Sequence, residues 1–123
     1  MQKKPSVEKN STFKYDLKFG QAGESWAAQI LSGDEFKIEV KTDRMAHKTG
    51  NVFIEITYKG RPSGISTTEA DYWLYRIHEN DTAIIVPVAR LRTIVDEHVK
   101  EKGYKFGGEH VKGALIPINK LLA

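Results

Sequence analysis

Cysteine is absent from the 123 residues, which excludes disulfides and thiolate-held metals and removes the usual cysteine-based clues to compartment. No apolar run approaches the roughly 20 residues that a bilayer-spanning helix needs. Residues 1–10 are polar, carry Lys3, Lys4 and Lys9, and lack the apolar stretch of a secretory signal. Internal repeats and low-complexity tracts are missing as well. These absences lead us to expect an intracellular protein with no membrane association. The length is that of one domain, with residues 1–12 expected as a flexible tail and 13–123 as a single folded unit. A formal charge of +3 and a pI near 9.1 admit a polyanionic partner without requiring one.

Hydrophobic spacing predicts an α/β fold with a central mixed β-sheet flanked by helices. Residues 13–19 mix aromatics and charges and are expected as a short strand or extended lead-in. Trp26, Ala27, Ile30 and Leu31 recur at helical spacing, so 21–31 reads as a helix stopped by Ser32-Gly33. Phe36, Ile38 and Val40 alternate with Lys37, Glu39 and Lys41, which predicts a half-buried strand. After a polar connection over 44–50, Val52, Ile54 and Ile56 alternate with Phe53, Glu55 and Thr57 in a second strand. Thr67 or Thr68 can cap a helix reaching His78. The apolar run over 83–88 reads as a strand buried on both faces, residues 91–102 as an amphipathic helix ended by Gly103, and 114–122 as an edge strand because Pro117 cannot donate to a ladder.

The chemistry concentrates around the first two strands. Side chains alternate across a strand, so Glu39, Lys41 and Asp43 share one face. If the two strands pair as a hairpin, Glu39 comes opposite or diagonal to Glu55. Such a like-charge pair needs water, a lysine or a divalent cation to offset it. At about 100° per residue, Glu24 lies beside Leu31 on the rim of the first helix's apolar face. Glu24, Glu39, Glu55 and Lys41 are then expected to converge. Their hard oxygen donors suit Mg²⁺ or Mn²⁺, and a lysine beside them can hold or activate an attacking water. The plain alternative is a solvated sheet face, with Glu24 an ordinary first-turn acid and Asp43 a turn former.

The segment Ile38-Glu39-Val40-Lys41, preceded by a helix bearing Glu24, resembles the signature of the PD-(D/E)XK nuclease superfamily. The longer pattern Glu39-Val40-Lys41-Thr42-Asp43, Thr49-Gly50-Asn51-Val52-Phe53-Ile54-Glu55, Ser63-Gly64-Ile65 and Ala70-Asp71-Tyr72-Trp73 is similar to small phage-type endonucleases and Holliday-junction-resolvase-like members. It spans about residues 16–88. The resemblance implies a restriction-endonuclease-like core, metal-dependent hydrolysis of DNA phosphodiester bonds, and a role in phage DNA processing or branched-DNA resolution. It implies Glu39 as the motif acid, Lys41 as the catalytic lysine and Glu24 as the accessory acid, in the cytoplasm of a bacterium or phage-infected host. The superfamily's first acid usually opens a strand well upstream, yet no Pro-Asp occurs here. Asp34, five residues before Glu39, fits the conventional order, whereas strand parity favours Glu55.

Two loops carry the remaining candidates. Arg44, His47 and Lys48 in one, and Lys59 and Arg61 in the other, are expected either to contact DNA phosphates or to be solvated turns. Trp26 and Trp73 are expected as helical core residues, and His78, His98 and His110 lack metal-ligand spacing. A chain this small would cut two strands as a homodimer, by analogy. The alternative function is a non-catalytic nucleic-acid-binding module of the same fold.

Overall fold

The computed structural model describes residues 10–78 and 81–123, with side chains from Leu17 onward. Two compact units are distinguished, residues 1–36 and 37–123. The first contains one helix, α1 (Asn10–Leu31). It starts well before the expected position and absorbs residues 13–19, which were expected to be extended. The helix holds no proline, and helix formers such as Leu17, Lys18, Ala22, Glu24, Ala27 and Ala28 prevail over its scattered aromatics. Gly33 at φ 74° supplies the left-handed residue that ends it. Trp26, expected in the core, is 48% exposed.

The second unit is mixed α/β, built on two sheets. Strand β1 (Ile38–Asp43) pairs in parallel with β4 (Tyr72–Ile77), which pairs antiparallel with β5 (Thr82–Pro87). The other sheet is antiparallel, in the order β3 (Arg61–Pro62), β2 (Asn51–Tyr58), β7 (Val111–Pro117), β6 (Lys105–Phe106). Three helices complete it: α2 (Ala46–Thr49), α3 (Val88–Lys102) and α4 (Ile118–Leu122). Among the described residues no helix is long and apolar enough to cross a membrane.

Several expectations are corrected. The first two strands do not form a hairpin: β1 joins β4 and β2 joins β7, with the short helix α2 between them. Glu39 therefore lies beside Trp73, and Glu55 beside Gly113, rather than opposite each other. The helix expected from Thr67 to His78 is strand β4. Its six residues are dominated by aromatic and branched side chains, which favour a pleated surface. Trp73, Tyr75 and Ile77 are buried in strict alternation with Tyr72, Leu74 and Arg76. Strand β5 is an edge with only Val86 buried, not a strand covered on both faces. Conversely β7 is internal, with Ala114 and Ile116 wholly buried, and Pro117 ends it and opens α4, where a missing N–H is harmless.

The core joins Val52 and Ile54 of β2, Ala114 and Ile116 of β7, Trp73, Tyr75 and Ile77 of β4, and the α3 stripe Leu91 and Val95. The two sheets share no backbone ladder. Instead, two side chains of the first sheet reach the open edge of β2 at one residue. Tyr75 Oη donates to the Phe53 carbonyl at 2.7 Å, and Asp43 Oδ2 accepts the Phe53 N–H at 3.1 Å. Removing the hydroxyl in Tyr75→Phe leaves the Phe53 carbonyl without that donor in a part-buried position. We expect a loss of about 1–3 kcal/mol in chemical denaturation. A variant as stable as the parent would show that packing alone holds the sheets together.

Candidate functional site

The inner face of the first sheet changes character from strand to strand. On β4 it carries Trp73, Tyr75 and Ile77, and on β5 Val86, all buried. On edge strand β1 the same face carries Glu39, Lys41 and Asp43, because the parallel register sets Glu39 beside Trp73, Lys41 beside Tyr75 and Asp43 beside Ile77. The other face of β1 holds Val40, which is 57% exposed. The expected alternation is therefore present with its sense reversed: the charged side of β1 continues the core and half-buries Glu39 and Asp43.

Each charged side chain on that face has defined partners. Asp43 Oδ1 accepts the N–H groups of Met45 and Ala46, both at 2.8 Å, and nucleates the α2 turn, while Oδ2 holds Phe53. Glu39 Oε1 lies 3.4 Å from Thr68 Oγ1, and its Oε2 3.7 Å from Lys41 Nζ. Lys41 Nζ stands 5.6 Å from the centre of the Trp73 ring, within cation–π range. The far ends of β1 and β4 are pinned by Asp71, whose Oδ2 accepts the Lys37 N–H at 2.8 Å.

From the second sheet, Glu55 arrives at a bulge in β2, between the paired residues Glu55 and Thr57. Two glycines fit around it. Gly64, at φ 56°, lies so close that a Cβ there would collide with the Glu55 carbonyl and side chain, and Gly113 is its partner on β7. The loop carrying Gly64 is held by α3, since Arg92 Nε donates to the Ile65 carbonyl at 3.0 Å and Nη2 to the Thr68 carbonyl at 2.8 Å.

Lys41, Thr42, Asp43, Arg44, Phe53, Glu55, Trp73 and Tyr75 line one groove of about 250 Å³. Burial pushes the Tyr75 hydroxyl well above the usual tyrosine range; the Trp73 indole opposes this, and the Asp43 and Glu55 carboxylates reinforce it. Tyr75 therefore stays protonated and serves as a donor, not a base. The buried Trp73 Nε1 meets no acceptor at hydrogen-bond geometry.

Of the expected residues, Lys41, Arg44 and Glu55 line this groove, and Glu39 is paired to Lys41. Glu24 lies on α1 and Asp34 in the bend after it, both exposed, in the first unit. His47 and Lys48 sit on α2, and Lys59 and Arg61 at the β2–β3 turn, where Lys59 Nζ lies 5.5 Å from the Tyr58 ring. None of these four lines the groove. Asp43 and Tyr75 are groove residues that the sequence did not single out. Asp43 was read as a turn former, which it is, and Tyr75 was hidden in an expected helix.

Among the described residues, no three acids or histidines gather as a preformed metal cage. The donors present are hard carboxylate oxygens, and Mg²⁺ commonly takes one or two such groups, completing its shell with water and substrate phosphate. The set therefore suits an open Mg²⁺ or Mn²⁺ site rather than an all-protein one. Comparison with family models, curated proteins and solved structures finds no match, so the site is read from its own geometry.

The partners of Asp43 separate scaffold from chemistry. Asp43→Ala leaves three N–H groups without their acceptor and is expected to lose about 2 kcal/mol or more in urea denaturation. Lys41→Ala, at a half-exposed position, should stay within about 0.5 kcal/mol of the parent. Equal stability losses in the two variants would contradict this division.

Proposed function

We propose that this chain is a metal-dependent DNA endonuclease that hydrolyses phosphodiester bonds in the groove between the two sheets. The observation that carries the reading is the mixed lining of that groove: Asp43 and Glu55 from different sheets, with Lys41 and Arg44 beside them. Carboxylates alone would repel a phosphate, and cations alone would bind it without a group to take a proton. Half-buried carboxylates with exposed cations beside them meet the needs of phosphodiester hydrolysis.

A bound Mg²⁺ or Mn²⁺ would neutralise phosphate charge and acidify water, and Glu55 and Glu39 would be the carboxylates left to hold it, since the Asp43 oxygens already accept three backbone N–H groups. The protein's own contributions follow from the partners described. Lys41, steered by Glu39 and the Trp73 ring, offers N–H donors to a non-bridging phosphate oxygen or to the incoming water. Arg44 supplies a planar fork for a second oxygen. A Glu55 oxygen not engaged by the metal can accept the proton of the water that attacks phosphorus, while the bond to the 3′ or 5′ oxygen breaks and that oxygen takes a proton from solvent. The sequence resemblance to the PD-(D/E)XK superfamily supports a restriction-endonuclease-like core and roles in phage DNA processing or branched-DNA resolution. In this reading the protein acts as a homodimer, each copy cutting one strand.

A second reading, a non-catalytic nucleic-acid-binding module, is favoured by the complete occupation of the Asp43 carboxylate by three backbone N–H groups. Incubation of supercoiled plasmid and four-way-junction DNA with and without Mg²⁺ decides between them. Cleavage should require the metal and fall about a hundredfold or more in Glu39→Gln, Glu55→Gln and Lys41→Ala, with melting curves near those of the parent. DNA binding without cleavage in any divalent metal would establish the module instead. Full activity of Glu55→Gln would remove the groove from the mechanism.

A further inference from the structure

A second pocket lies at the other side of Arg44. Strands β1 and β4 run parallel and end together at Asp43 and Ile77, and beyond those ends Thr42, Arg44, Arg76 and His78 enclose about 490 Å³. Thr42 and Arg76 are register partners on the outer face of the first sheet, opposite the face that carries Lys41 and Asp43. Thr42 and Arg44 line both cavities, and Arg44 is the cation common to the two. Among the described residues no carboxylate lines this second pocket, and Arg44 and Arg76 have no acidic partner. His47 of α2 brings another nitrogen heterocycle, its ring centre 4.3 Å from that of His78.

The backbone holds this arrangement against its own preference. His78 sits at φ 52°, a region that non-glycine residues rarely occupy, and its N–H is fixed to the Asp43 carbonyl at 2.8 Å. Its buried Nδ1 has no hydrogen-bond partner among the described residues. Two arginines, one imidazole and a threonine hydroxyl, with no acid among the described lining residues, leave cationic and donor groups to take an anion.

We propose that this pocket is a phosphate subsite: Arg44, Arg76 and His78, with Thr42, hold a DNA phosphodiester next to the one presented to the groove. The inference rests on the nuclease reading for the identity of the polyanion, while the pocket's preference for phosphate stands on its lining. Arg44 is then the pivot between two successive phosphates, and the subsite fixes the direction in which a strand crosses the ends of β1 and β4. Arg76 and His78 act here as positioning residues, remote from the reacting bond.

The test uses the full chain with Arg76→Gln and His78→Asn, asparagine being a residue that tolerates positive φ. Duplex DNA binding is followed in Ca²⁺ at several salt concentrations, inorganic phosphate binding by amide chemical shifts, and cleavage kinetics in Mg²⁺. The double variant should bind DNA about tenfold more weakly, with a salt slope reduced by roughly one. Inorganic phosphate should shift the Thr42 and His78 amides in the parent and not in the variant. Cleavage should show a raised KM at an unchanged kcat. If the chain binds DNA but never cuts it, and the double variant still loses affinity and slope, the subsite stands and the catalytic reading falls. Parental affinity and salt slope in the double variant would overturn the subsite, whatever the cleavage result. Phosphate shifts without any change in DNA affinity would likewise overturn it, assigning the pocket to a free anion.

Discussion

Residue 53 is where the two sheets become one structure. Its N–H is taken by Asp43 and its carbonyl by Tyr75, so one residue on the open edge of β2 is tied to the first sheet by two side chains. An open strand edge offers unpaired backbone groups to any passing strand. Here the edge is closed by side chains instead of by another strand, which leaves a gap between the sheets rather than a continuous ladder. The gap is the groove, and the two side chains that close the edge also line it. Glu55, two residues further along β2, is brought to Lys41 and Arg44 by the same connection.

The dual use of Asp43 and Tyr75 explains why this part of the molecule combines rigidity with charge. Asp43 is a helix-turn acceptor, an edge cap and a wall of the groove at once. Tyr75 is a core aromatic whose hydroxyl is kept protonated by burial and by two carboxylates, so it anchors without titrating near neutrality. The acids are held apart by this scaffold: Glu39 on one side with Lys41 and Thr68, Glu55 on the other between Gly64 and Gly113.

Local pattern made some elements legible from sequence and misled on others. The alternation of Ile38 to Lys41 and of Val52 to Thr57 identified two strands correctly, and the Leu91–Val95 spacing with Gly103 identified α3. Proximity in sequence then suggested a hairpin, but the strands' partners lie far along the chain, and no local signal encodes a parallel pairing of β1 with β4. The sense of β1 was misjudged for a related reason. Its apolar side was assumed to face inward, whereas an edge strand beside a core can turn its charged side inward when those charges have a lysine, a threonine and backbone N–H groups to meet. Parity set Lys41 with Glu39 on one face of β1, but the meeting of Lys41 with Glu55 was argued from a hairpin that does not form. Arg76 and His78 were not legible, because a strand read as a helix scrambles which residues share a face.

The groove's two walls also impose an order on folding. Strand β1 waits for β4, about thirty residues later, and β2 waits for β7, about sixty residues later. Both separations are long, and pairings of that kind form slowly because a large loop must close before any ladder bond forms. Neither wall can be completed by its own neighbourhood in the chain. Asp43 and Glu55 are only twelve residues apart, yet the strand that carries Glu55 is paired with one about sixty residues further along the chain. The charged groups of the site are thus near one another in sequence, while the strands that hold them are paired by segments distant from them in the chain.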